Sequence, residues 1–147
     1  MSWPSRLLPF LLLFAATAVA QNGLTIDKVG KEPVRPGDSA KEVAFTAIIE
    51  GVVADPNLSV YVLVQSPGAA RERAFAATVD SSRPEPSGGY RWRAVCQFGE
   101  LMGDSEGAYQ ARAVAINPAG VQRGKLLETL KAGKERSDVI TLTRSKQ

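Results

Sequence analysis

The sequence predicts an all-β protein: a single antiparallel sandwich of about seven strands, with one short helix in the connection before the last strand. Three observations predict it. Apolar and polar residues alternate with a period of two over most of the chain, which gives a strand one apolar face. Clusters of Pro, Gly, Asn and Asp punctuate those runs and leave no room for long helices between them. Helical spacing of apolar residues occurs once, near the end.

The elements follow in order. Leu24 to Val29 alternates and stops at Gly30, and Glu32 to Asp38 carries the Pro and Gly of a turn. Val43 to Val53 places Val43, Phe45, Ala47 and Ile49 on one face, and Asp55-Pro56-Asn57 ends it. Ser59 to Gln65 is dense in β-branched and aromatic residues and closes at Ser66-Pro67-Gly68. Phe75 to Val79 reads as a short edge strand, and Ser81 to Gly89 as an exposed loop. Tyr90 to Phe98 alternates strictly, with Tyr90, Trp92, Ala94, Cys96 and Phe98 facing one way and Arg91 and Arg93 the other. Ala108 to Ile116 is a strand ended by Asn117-Pro118, and Asp138 to Arg144 is the last strand. Between these two, Val121 to Ala132 puts Leu126, Leu127 and Leu130 on one helical face, and Gly133 offers a stop.

The first 20 residues read differently. Arg6 is their only charge, Leu7 to Val19 is almost wholly apolar, and Ala18-Val19-Ala20 supplies small residues at both cleavage positions. That is the order of a secretory signal peptide. An uncleaved anchor needs about 20 apolar residues to span the hydrocarbon, and Pro9 interrupts this shorter run. Residues 1–20 are therefore expected to be a cleaved signal, and 21–147 one exported domain, periplasmic or extracellular, in a bacterial setting. Removing Arg6 lowers 18 basic residues to 17 against 15 acids, a net charge of +2. So small an excess does not by itself argue for nucleic acid or a membrane surface, and neither is an expected partner. No stable membrane insertion is expected after cleavage.

Composition also bears on chemistry. The chain has no histidine, which removes imidazole catalysis and the commonest metal ligand. Cys96 is the only cysteine, so no intrachain disulfide can form. A reactive thiol needs a base or electropositive setting and access; Cys96 sits among apolar neighbours on its strand face and reads as structural. No S-x-x-K dyad motif is present. Glu100, Asp104 and Glu106 share a loop and are the only acids to weigh for glycoside hydrolysis or a calcium site, but their spacing fits no recognised arrangement. No catalytic residue, metal ligand set or cofactor is expected.

Three segments carry a resemblance. Val60 to Val64, Tyr90 to Gly99 and Gly107 to Ala115 resemble the V-x-V-L-V, Y-x-W-x-A-x-x-x-F-G and G-x-Y-x-x-x-A-V-A strands of bacterial immunoglobulin-like and fibronectin type III-like domains of exported proteins. Gly107 and Tyr109 match the spacing of that fold's tyrosine corner. Ala111 stands where antibody domains place a disulfide cysteine, and Val43 to Val53 lacks the second-strand tryptophan of fibronectin type III domains. The resemblance implies an immunoglobulin-like sandwich with Gly107 and Tyr109 in structural roles, and the alternating face gives Trp92 and Cys96 structural roles as well; fold alone does not name a function.

Two features are open to a binding role. Trp92, Tyr90 and Phe98 can form either a platform for a sugar ring or part of the core; Ala94 and Cys96 on the same face favour the core, with Tyr90 the more exposed member. Arg123, Lys125, Lys131, Lys134 and Arg136 face only Glu128 and Glu135 in one stretch. That stretch is either a contact surface for an acidic polymer or protein, projecting from one end of the sandwich, or a solvated helix whose leucines cover the end of the core. Arg71, Arg73 and Arg83 add positive charge in other loops, offset in part by Glu72 and Glu85. Asn57-Leu58-Ser59 is a sequon of use only in a eukaryotic secretory pathway. The expected function is a small exported, non-catalytic binding module contacting an envelope polymer or an envelope protein. A structural subunit using the Phe75 to Val79 edge is the alternative, and a hydrolase ranks last.

Overall fold

A computed structural model of the chain describes residues 23–68, 72–100 and 107–145. The expected signal peptide, Arg71, Asp104 and Glu106 lie outside these. The strands are β1 Leu24–Val29, β2 Glu32–Pro33, β3 Lys41–Val43, β4 Thr46–Val53, β5 Ser59–Gln65, β6 Glu72–Pro84, β7 Tyr90–Gln97, β8 Ala108–Ile116, β9 Glu135–Arg136 and β10 Ile140–Arg144. Among the described residues there is one α-helix, α1 (Leu126–Ala132), which follows a 3-10 turn at Pro118–Gly120.

The all-β class with one helix before the last strand is what the alternation predicts. The expected architecture needs correction, however. Hydrogen bonds run without a break through β2-β1-β4-β7-β6-β5-β8-β10-β3, with β9 beside β8. Among the described residues this is one mixed, curled sheet of ten strands, a half-barrel, and not a two-sheet antiparallel sandwich of about seven strands. Every pair is antiparallel except β3 with β10, where Lys41, Glu42 and Val43 lie parallel to Leu142, Thr143 and Arg144.

β6 makes the sheet continuous. Glu72 to Ala76 pairs with β5, and Ala77 onward pairs with β7. Phe75 to Val79 is thus the crossing between the two limbs, with Phe75 and Ala76 paired to β5 and Ala77 to Val79 paired to β7. Ser81 to Pro84 also belongs to this strand, where an open loop was expected. The pairing is irregular between Val79 and Pro84, and there Asp80 accepts hydrogen bonds from the Ser82 amide at 3.1 Å and the Ser82 hydroxyl at 2.6 Å. Those bonds hold a Ser-rich segment, which has no β preference of its own, against Tyr90. They also lower the Asp80 pKa, the side-chain bond most.

The run from Val43 to Val53 is likewise two strands. The chain leaves β10 at Val43 and joins β7 from Thr46, crossing from one limb of the curl to the other at Ala44 and Phe45.

The inner face holds one core. From one limb come Leu24, Ile26, Ile49, Val53, Trp92, Ala94, Cys96 and Phe98; from the other come Val60, Val62, Val64, Tyr109, Ala111, Ala113, Ile140 and Leu142. A second cluster lies on the outer face, where Leu130 of α1, with half-buried Leu126 and Val121, covers Leu63, Val114 and Ile116. Both faces of β8 are therefore buried from Ala113 to Ile116, which explains why alternation fades there into a continuous apolar run.

Candidate functional site

The basic connection between β8 and β10 is fastened from Leu126 to Ser137. Leu130 is fully buried. Gly133 ends α1, and its N–H donates to the Leu130 carbonyl at 3.1 Å. Its φ of −63° is open to any residue. Glycine is needed there because a Cβ would lie 2.7 Å from Val114 Cγ1, so it marks a close approach of the helix end to β8. An Arg136 Nη2 donates to the Lys131 carbonyl at 3.0 Å and caps the helix. β9 then pairs Arg136 with Val114 and Glu135 with Ala115. Buried Ser137 completes the attachment: its hydroxyl accepts from the Ala113 N–H at 2.8 Å and donates to the Asp138 carbonyl at 2.9 Å, while its own N–H reaches the Ala113 carbonyl at 2.9 Å.

The connection therefore lies flat on the outer face of β5 and β8. The expected placement of its leucines needs correction: Leu126 and Leu130 cover the outer face and not the end of the core. Leu127 points away from the sheet and is 40% exposed.

The five cations then separate. Arg123, Lys125, Lys131 and Lys134 are exposed and form no ion pair among the described residues. Arg136 is half-buried, caps α1, and has a buried Nε with no partner; it holds the connection in place. Lys131 lies one turn beyond Leu127, so an apolar side chain and a cation share the outward face of α1.

The aromatic residues are core. Trp92 and Phe98 have no exposed surface, and Tyr90 is half-buried against the same cluster. Phe98 meets buried Tyr109 edge-on, with ring centroids 5.7 Å apart and planes at 85°. Gly107 enters β8 with φ +115° and lies over Pro67, where a side chain has neither the conformation nor the room. The Cys96 thiol is fully buried, and burial pushes its pKa up to about 12. At neutral pH it is a protonated, inaccessible thiol and cannot act as a nucleophile. Glu100 is exposed, with its carbonyl accepting from Arg144 Nη1.

A second charged cluster is absent from the sequence reading. Arg91, on the outer face of β7, reaches over β4 to Asp27 of β1, with Nη1–Oδ1 and Nη2–Oδ2 both 3.0 Å. Its Nε donates to Glu85 in the β6–β7 turn at 2.7 Å, and Glu50 of β4 lies 3.9 Å away. The two-pronged bond to Asp27 raises the Arg91 pKa further above its already high value, with Glu85 adding to the effect. The β1–β4 register shifts between Ile26 and Lys28, which turns Asp27 toward Arg91. Arg91 and Asp27 are 64 residues apart, and nothing local in either segment announces the pair.

Among the described residues, no group of three His, Cys, Asp or Glu side chains is placed to hold a metal ion, and no helix is long and apolar enough to cross a membrane. No protein-family model matches the chain, and a search of curated proteins returns no match.

Proposed function

We propose that the protein is a small exported binding module that contacts an acidic polymer or an acidic protein surface of the cell envelope, and that it carries out no catalysis. The observation that carries this reading is the set of exposed, unpaired cations Arg123, Lys125, Lys131 and Lys134 beside exposed Leu127, on a connection pinned to the sheet by Leu130, Arg136 and Ser137. A fixed cationic surface loses little conformational entropy when it meets an anionic one. The buried thiol of Cys96 and the absence of histidine support a non-catalytic role.

The immunoglobulin-like reading belongs here too. It is supported by the order β1-β4-β7 and β5-β8-β10 in the two limbs, by the parallel β3–β10 pair, and by Gly107 and Tyr109 opening β8. The assembly alternative rests on Phe75 to Val79, where Phe75 and Ala76 pair with β5 and Ala77 to Val79 with β7, so that each residue has one paired side.

The test is retention of the purified protein on an immobilised anionic envelope polymer over a salt gradient. Replacing Lys131 and Lys134 together by Glu is expected to weaken retention at least about tenfold at low salt and to flatten its salt dependence. Equal retention of the variant and the parent overturns the assignment. Amino-terminal sequencing of the exported protein is expected to begin at Gln21; an intact Met1 in the mature protein overturns the export reading.

A further inference from the structure

The curled sheet is open along one seam. β4 pairs with β1 along its length, but β2 reaches only Lys28 and Val29 on the other side, and the Val34 N–H meets the Asp27 carbonyl at 3.0 Å. Leu24 to Ile26 therefore has no strand on that side among the described residues. The Ala54 N–H donates to the Gly23 carbonyl at 2.8 Å, so the backbone groups of Gly23 point toward β4. By strand alternation those of Leu24 and Ile26 point away, into the seam. At the other end of the sheet β3 lies beside β10 only from Leu142 to Arg144, which leaves Ile140 and Thr141 with an open edge.

A groove of about 460 Å³ separates these edges, with Leu24, Ile26, Val34 and Ile140 in its lining. All four are buried core residues, none more than 7% exposed, so the floor of the groove is apolar. Its ionisable lining is Asp27, Glu85 and Asp138 against Arg35 and Arg91. Arg91 is already shared between Asp27 and Glu85, and Asp138 and Arg35 are both exposed without an ion pair among the described residues, so three carboxylates against two guanidinium groups leave the mouth an excess of one negative charge, which favours a cation.

We infer that this seam accepts an extended segment of a partner polypeptide as an added strand between β1 and β10, with apolar side chains entering the groove at alternate positions and basic ones at its mouth. Outward-facing amide and carbonyl groups beside an apolar floor call for a ligand with its own alternating backbone donors and acceptors, which a purely apolar molecule lacks. The other open edges fit poorly. β3 is three residues long, and the outer run of β6 ends in Pro84 with Asp80 folded onto Ser82, features that discourage strand pairing. The cations of the α1 connection do not line the groove, so this inference stands independently of the function proposed above.

The probe is a capped hexapeptide alternating lysine and valine, titrated to millimolar concentration into the full chain labelled with nitrogen-15. Saturable binding with slowed hydrogen exchange at the Leu24 and Ile26 amides is expected. N-methylation of the peptide's alternate backbone nitrogens is expected to weaken binding at least about tenfold, because it removes the strand hydrogen bonds and leaves the composition almost unchanged. Asp138→Lys, an exposed change that leaves the core intact, is expected to weaken the lysine peptide about threefold and to spare a glutamate–valine analogue. Unchanged exchange at Leu24 and Ile26, equal binding of the N-methylated peptide, or shifts confined to α1 would each overturn the inference.

Discussion

Cys96 shows how a single buried side chain sets a measurable pH response. Its pKa is pushed from 9.0 up to about 12 by burial. The unfolded chain therefore loses the thiol proton at lower pH than the native protein does. Below pH 9 the contribution is fully present; as pH rises from about 9 to about 12 the unfolded state is favoured, by up to about 1.4 kcal/mol per pH unit. Parallel denaturant titrations of the wild type and Cys96→Ala are expected to diverge over that window, with the wild type losing stability faster. At neutral pH a thiol reagent is expected to react with Cys96 only as fast as the protein unfolds. Rapid labelling of the native protein would refute the burial argument. Gly51 is a second position where one atom decides. A Cβ there would collide with the Thr25 carbonyl and come within 2.6 Å of Trp92 Cζ2. Gly51→Ala is expected to cost at least about 3 kcal/mol, because neither the β1 backbone nor a fully buried indole can move aside, and chemical denaturation measures it.

At the scale of elements, the connection carrying α1 rests on side-chain devices as much as on apolar packing. Ser137 substitutes for a ladder residue by satisfying the Ala113 N–H. Ser137→Ala leaves that buried donor without a partner and is expected to cost about 1–3 kcal/mol; hydrogen exchange is expected to quicken at Ala113 and along α1 while β4 and β7 stay protected. Equal loss of protection everywhere would show that the connection has no local stability of its own. Arg91 has a comparable role on the other limb, tying β1, β4 and the β6–β7 turn together. Its three carboxylate neighbours repel one another once it is gone, so Arg91→Ala is expected to destabilise by about 1–2 kcal/mol, and Arg91→Lys by less. The sequence disclosed neither device. Ser137 reads as an ordinary loop serine, and the partners of Arg91 are distant in the chain. By contrast the alternation in Tyr90 to Phe98 disclosed which residues of β7 are buried, because it depends only on the two-residue repeat of an extended chain.

For the whole molecule, the decisive feature is that one strand passes from one limb of the curl to the other. β6 carries the hydrogen bonding across, and a single inner core takes residues from both limbs. The molecule is therefore expected to unfold as one unit. Far-ultraviolet circular dichroism, which reports all strands, and the fluorescence of core Trp92 are expected to give coincident transitions. An earlier fluorescence change would mean that the β1-β4-β7 limb separates from the rest at β6.

The sequence by itself determined the all-β class, most of the strands, the inward face of β7, and the place of α1. It also determined the missing imidazole chemistry and the expectation of export. All of these rest on composition or on repeats a few residues long. Only the tertiary structure decided that the described strands form one ten-stranded sheet, that Phe75 to Val79 is where the chain crosses from β5 to β7, and that α1 and β9 lie on the outer face. It alone brought Arg91 to Asp27 and left a seam between β1 and β10. Register, sheet crossing and side-chain partnership are set by contacts between residues far apart in the chain, and a local period cannot specify which distant partner a strand or an ion will meet.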